Sequence, residues 1–155
     1  MKTLSHFVAT VLFSLLPLAV AAQDLPAKFD PARDAAKDVA TAVAAAAAQG
    51  KRVLVDVGGE WCVWCHILDR FVEANADVQA LRDANYVWVK VNWSKENKND
   101  ALLSRWPAIK GYPHLFVLGA DGELIQSQDT GLLEAGRSYD HAKVVAFLVT
   151  WAGPK

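Results

Sequence analysis

Two cysteines stand three residues apart in the run Trp61-Cys62-Val63-Trp64-Cys65-His66, and the chain has no others. If a helix begins at Cys62, this spacing sets both sulfurs on one side of its first turn. They can then close a small disulfide or open to a dithiol. A helix N-terminus stabilises a thiolate through its dipole and its unpaired N–H groups. Cys62, ahead of the helix, is therefore expected to be the more exposed sulfur and the attacking thiolate. Its pKa should fall below the free value of about 8.5. Cys65, one turn in, would resolve a mixed disulfide. A structural staple explains the pair poorly, because so short a loop removes little entropy from the unfolded chain. A zinc half-site is the other alternative, completed by His66 and His114, but no second C-x-x-C exists and zinc takes four ligands. No metal is expected.

Elements must hold these groups. Arg52 to Val57 reads as a buried strand ended by Gly58-Gly59. Within it, Val53-Leu54-Val55-Asp56-Val57 carries one acid in an apolar run. A buried carboxylate is costly and its pKa rises, which suits a proton acceptor and donor for Cys65. The alternative is an acid exposed at a strand end or paired with Lys90. A helix from about Cys62 to Ala74 follows, with Ile67, Leu68, Phe71 and Val72 as its apolar face. Upstream, Asp30-Pro31 reads as an N-cap and first helical position for an alanine-rich helix, Ala32 to Gln49, closed by Gly50. Downstream, the pattern predicts a short helix from Asp77 to Ala84 and a strand from Tyr86 to Trp93. A helical or irregular stretch from Asn97 to Trp106 comes next. His114 to Leu118 and Glu123 to Gln126 form a hairpin across Gly119-Ala120-Asp121-Gly122. Asp129 to Tyr139 is a loop, and Asp140 caps a last helix, His141 to Trp151. The first two strands, joined by helices, imply a parallel crossover, and the last two an antiparallel pair. The fold class is α/β, a central mixed sheet flanked by helices, with an N-terminal helical extension.

The opening residues bear on compartment. Phe7 to Leu18 is almost wholly apolar, and Ala19-Val20-Ala21-Ala22 follows with small side chains. A cleaved signal peptide over residues 1–22 is expected, with a retained anchor as the alternative. Residues 23–50 are then an approach segment and helix, and 51–152 the main domain. The formal charge is −1 and no basic cluster stands out, which argues against nucleic acid as a partner. A monomer in the periplasm, or secreted, is expected.

The order of elements and four features together resemble the thioredoxin superfamily over about Lys51 to Trp151. These are Trp61-Cys62-x-x-Cys65, Asp56 six residues before Cys62, Lys90 within Val89-Lys90-Val91-Asn92, and Gly111-Tyr112-Pro113. The stretch Glu60 to Asp69 looks most like the bacterial exported thioredoxin_7-type branch, and is also similar to the longer WC-x-WCH proteins of the DUF255 group. The resemblance implies a thioredoxin-like fold with no cofactor beyond a redox-active Cys62–Cys65 disulfide. It implies that Asp56 lies buried beneath that disulfide with Lys90 close to it. Pro113 would be cis and would present the backbone of Tyr112 to an incoming chain. Trp61 and Trp64 would form a docking surface for protein substrates, although Trp64 could equally pack on the adjacent loop. Gly131 matches a family glycine that helps shape the substrate surface. Val63 and Trp64 replace the Gly and Pro of thioredoxin itself, a dipeptide that influences redox potential. The expected function is reduction of disulfides in other exported proteins, with electrons from a membrane thiol donor. Oxidase or isomerase activity is the alternative, and a binding or chaperone module without turnover is the third reading.

Overall fold

The computed structural model describes residues 24–153. The signal segment expected at residues 1–22 lies outside them. Among the described residues no helix is long and apolar enough to cross a membrane.

The first helix, α1, runs Ala35–Gln49 and not from Ala32. Asp30 does not cap it. Its carboxylate accepts from the Ala32 N–H at 2.8 Å, and its carbonyl accepts from the Arg33 N–H at 3.3 Å. An aspartate before proline satisfies itself in a local turn of this kind. Asp34 caps α1 instead, accepting from the Lys37 N–H at 3.1 Å. Gly50 closes the helix in the left-handed region (φ 63°), which costs glycine nothing.

Four strands form one sheet, β1 (Arg52–Gly58), β2 (Tyr86–Asn92), β3 (His114–Leu118) and β4 (Leu124–Asp129), in the order β2-β1-β3-β4. β1 and β2 run parallel, joined by α2 (Val63–Ala74) and α3 (Ala76–Asn85). β3 is antiparallel to β1 and to β4. The mixed sheet expected from the sequence is thus present, with β4 longer than the predicted Glu123 to Gln126.

Strand periodicity divides the core. Val53, Val55 and Val57 of β1, with Val87, Val89 and Val91 of β2, pack under Ala42, Ala45 and Ala46 of α1. The small alanines let α1 lie close to the sheet. On the opposite face Leu54, Leu115 and Val117 meet Leu68 and Val72 of α2, Val78 of α3, and Phe147 and Leu148 of α5 (His141–Thr150). Each such buried Val, Leu or Phe stabilises the fold by about 1.5–3 kcal/mol relative to exposure. Asp56 alternates with Val55 and Val57, so the strand carries it on the α2 face.

The two irregular stretches have definite structure. Between β2 and β3 only α4 (Asp100–Leu103) is helical. Its approach is held by amides: Asn92 Nδ2 donates to the Asn97 carbonyl at 2.9 Å and Asn99 Nδ2 to the Asn92 carbonyl at 2.7 Å. Such side-chain bonds compete with a longer helix. The expected loop after Asp129 is a 3₁₀ turn (Thr130–Leu133) and a minimal ladder, β5 (Glu134–Ala135) with β6 (Ser138–Tyr139). Asp140 caps α5 as the sequence predicts, accepting from the Lys143 N–H.

Candidate active site

β1 delivers the chain to its C-terminal end at Gly58, and a short turn then leads into α2. Cys62 is the N-cap of α2, so the helix proper begins one residue later than the sequence predicts. The Cys62 backbone N–H bonds to the Gly59 carbonyl at 2.9 Å, and its sulfur accepts from the Cys65 N–H at 3.1 Å. Cys62 and Cys65 form a disulfide with their Cα atoms 5.2 Å apart. The sulfur at the helix start is therefore already in contact with one of the N–H groups that would stabilise its thiolate.

The sequence points to Cys62 as the open sulfur. Its residue is only 3% exposed, against 0% for Cys65. The order holds, but both are buried, because aromatic side chains, two of them from distant segments, close over them. Phe29, Trp64 and Tyr112 all pack on the pair. Phe29 is the least expected. It is 2% exposed, and its backbone N–H donates to Glu60 Oε1 at 3.0 Å, tying the N-terminal segment to the active-site loop. Gly58 makes room for this arrangement. A Cβ on Gly58 would overlap Cys65 Sγ and come to 3.0 Å from Phe29 Cζ.

Asp56 is fully buried on the same side of the sheet. Burial pushes its carboxyl above the usual carboxylate range, against the opposing pull of Lys90. Register places the two side by side, since Asp56 pairs with Lys90 across β1 and β2. Lys90 Nζ lies 3.1 Å from Asp56 Oδ2 and 2.6 Å from Asp69 Oδ1. Burial alone would lower the Lys90 pKa, but Asp56 and Asp69 outweigh it and hold it above its ordinary value. The ammonium also sits over the Phe29 ring, 4.2 Å from its centroid. Asp56 Oδ1 has no hydrogen-bond partner among the described residues. A fixed cation thus holds one carboxyl oxygen. The other makes no well-formed hydrogen bond among the described residues, although the buried Trp88 indole N–H lies near enough to favour the charged form. Such a carboxyl is able to accept and return a proton.

The remaining candidates gather around the disulfide. Trp61 is 53% exposed, and its indole N–H donates to the Trp93 carbonyl at 2.8 Å. It stands edge-on to Tyr112 at 5.6 Å and to Trp93 at 5.9 Å, while Trp93 and Tyr112 stack at 5.0 Å. Trp64 is half-buried and meets Tyr139 edge-on at 5.8 Å, so packing on the adjacent loop accounts for much of its surface. The Tyr112–Pro113 peptide is cis, and the Thr130 hydroxyl donates to the Pro113 carbonyl. Gly131 is exposed in the 3₁₀ turn, its N–H held by Asp129 Oδ1 at 2.9 Å.

The two histidines do not converge. His66 Nε2 meets the Glu60 carbonyl at 2.8 Å and His114 Nε2 the Ser127 hydroxyl at 2.9 Å. Among the described residues no three potential metal-ligating side chains cluster.

Sequence reasoning misses four neighbours of the site: Phe29, Asp69, Trp93 and Tyr139. Asp69 carries a usable signal, since it lies one turn after Cys65 on the same helix. Trp93 reads in the sequence only as a core or rim aromatic. Phe29 and Tyr139 arrive through contacts between distant segments, and nothing local in the sequence points to them.

Comparison with known proteins agrees with this geometry. A family model described as thioredoxin-like matches residues 34–120. The chain is 30% identical over 99 residues to the thiol:disulfide interchange protein DsbD of Colwellia psychrerythraea, covering 63% of this chain and 16% of that protein. To DsbD of Pseudomonas fluorescens it is 33% identical over 112 residues, 71% of this chain and 17% of that protein. The chain therefore spans only about a sixth of the length of these curated relatives. Among solved structures, the disulphide isomerase from Xylella fastidiosa Temecula1 superposes with a TM-score of 0.68 at 27% identity, covering 83% of this chain and 98% of that one. The oxidised C-terminal domain of Neisseria meningitidis DsbD shares the fold, with a TM-score of 0.51 at 21% identity over 66% of this chain and 85% of that one. With these matches and its Cys62–Cys65 disulfide, the chain belongs to the thioredoxin-like family and is a thiol–disulfide oxidoreductase.

Proposed function

We propose that this oxidoreductase is exported and reduces disulfides in other exported proteins. The observation that carries the reading is the buried Asp56–Lys90 pair on the α2 face, with one carboxyl oxygen unpartnered among the described residues. In the reducing cycle the Cys62 thiolate attacks a substrate disulfide, forming a mixed disulfide and releasing the first substrate thiolate, which takes up a proton. Cys65 then gives its proton to Asp56 and attacks Cys62 Sγ. The second substrate thiol leaves with a proton, and the Cys62–Cys65 disulfide is restored. Two electrons pass from the protein to the substrate. Lys90 keeps Asp56 oriented and limits how far its pKa rises. Trp61, Trp64 and Tyr112 with Pro113 form the surface against which the substrate chain docks.

Export is supported by the apolar run Phe7 to Leu18 and the small residues after it. In an oxidising compartment the disulfide must be re-reduced from elsewhere, so the electron donor is a membrane thiol carrier facing that compartment. The protein acts as a monomer on protein thiols and disulfides and uses no nucleic acid.

The test is equilibration with glutathione or dithiothreitol, combined with reduction of insulin disulfides. The expected potential is near thioredoxin's, about −270 mV, with insulin reduction abolished in Cys62→Ser. A potential near about −120 mV, that of the strongest periplasmic oxidant, would sink the reductase reading. The likeness to the Xylella protein described as a disulphide isomerase favours isomerisation as a second reading. Efficient refolding of a scrambled substrate, without net reduction, would select it.

A further inference from the structure

A cavity of about 340 Å³ is lined chiefly by Trp93, Asp100, Leu103, Trp106, Ile109 and Tyr112. It is formed by the irregular stretch between β2 and β3. Three aromatic rings line it. Trp93 and Tyr112 stack at 5.0 Å, and Trp106 is fixed from behind by Phe116 at 4.8 Å. Asp100 is exposed and is the one charged side chain among the lining residues. Its carboxylate lies close enough to Tyr112 to help raise the phenol's pKa, after burial. Tyr112 joins the cavity to the chemistry, since its ring packs on the Cys62–Cys65 cluster and meets Trp61 edge-on.

We propose that this cavity is a specificity subsite that receives a lysine or arginine side chain of the polypeptide substrate, close in sequence to the cysteine being reduced. Aromatic walls suit the aliphatic stem of such a side chain, and ring faces attract its cationic head. The single carboxylate at Asp100 supplies the complementary charge. A purely apolar pocket would accept leucine as well, and an acidic side chain would meet Asp100 with like charge. The subsite rests on the oxidoreductase reading and adds to it a substrate class: disulfides flanked by a basic residue.

The experiment uses the reduced full chain and peptides with a single glutathione-capped cysteine. Lysine, leucine or glutamate is placed in turn at each of the three positions on either side of that cysteine. The reaction is balanced: the protein dithiol becomes the disulfide, and the peptide thiol and glutathione are released. Lysine at one position should raise kcat/KM about fivefold to tenfold over glutamate and severalfold over leucine. Asp100→Asn should remove most of that preference and Asp100→Lys should invert it. Neither should change the reduction of hydroxyethyl disulfide, which is too small to reach the cavity. Equal rates for all peptides, a preference for leucine, or a lysine preference that survives Asp100→Asn would each overturn the subsite while leaving the oxidoreductase intact. Failure of the unmodified chain to reduce hydroxyethyl disulfide would overturn both.

Discussion

Gly58→Ala should make the disulfide easier to reduce. The added Cβ would overlap Cys65 Sγ and press on Phe29 Cζ at 3.0 Å. In the oxidised protein the sulfur cannot retreat, because it is bonded to Cys62 Sγ and Cys65 is wholly buried. In the dithiol that bond is gone and the Cys65 side chain can take another rotamer. The strain therefore falls mainly on the oxidised form. Overpacking one carbon into a filled site costs about 1–3 kcal/mol. At about 30 mV per 1.4 kcal/mol for a two-electron couple, the potential should rise by about 20–65 mV. Thiol trapping across a series of glutathione buffers reads this directly. Urea unfolding of the two redox forms gives an independent measure, with the oxidised variant losing more stability than the reduced one. Equal losses in both forms, with no change in potential, would refute the reasoning, since the clash would then be absorbed by Phe29 and not by the sulfur.

Two other outcomes follow from the buried groups. Asp56 has a folded pKa raised by burial, so the stability associated with its protonated form is complete below the unfolded value of about 3.9 and is lost as pH rises through the folded pKa. Urea unfolding of the oxidised protein between about pH 4 and pH 9 should show this fall in the wild type and not in Asp56→Asn; parallel curves would mean that Lys90 fully compensates the charge. Phe29→Ala should cost about 3–5 kcal/mol of stability as a buried aromatic truncation. It should also admit water to Lys90 and Asp56 and move the pH dependence of disulfide reduction toward lower pH. An unchanged pH profile would reduce Phe29 to a packing residue.

Much of the fold is legible in the sequence because its periodicities are clean. Val53, Val55 and Val57 alternate with Leu54 and Asp56, and that alternation alone sorts β1 into two faces. The grouping of Cys62, Cys65, Asp56 and Lys90 is legible only through the family resemblance, and the register observed between β1 and β2 sets Asp56 opposite Lys90 as that resemblance implies. What is hidden depends on closure in three dimensions. The start of α1 turns on whether Asp30 or Asp34 caps it, and both have the right chemistry. The burial of Cys62 depends on Phe29 and Tyr112, which lie 33 residues before it and 50 after it. Asp69 shares a helix with Cys65, yet its role as the second anion on Lys90 needs the side chain of β2 to reach across to α2.

The placement of Phe29 has a consequence for modularity. The segment that matches the family spans residues 34–120, yet the packing around the disulfide draws on Phe29 directly and on Tyr139 through Trp64. The unit that can be recognised is smaller than the unit that can work. A graft of the matched segment into another protein would carry both cysteines, Asp56 and Lys90, but would lose Phe29 from over the disulfide and Tyr139 from against Trp64, along with β4 and α5. The matched segment holds the reacting groups, while the segments outside it complete the sheet, the second core face and the cover over the sulfurs.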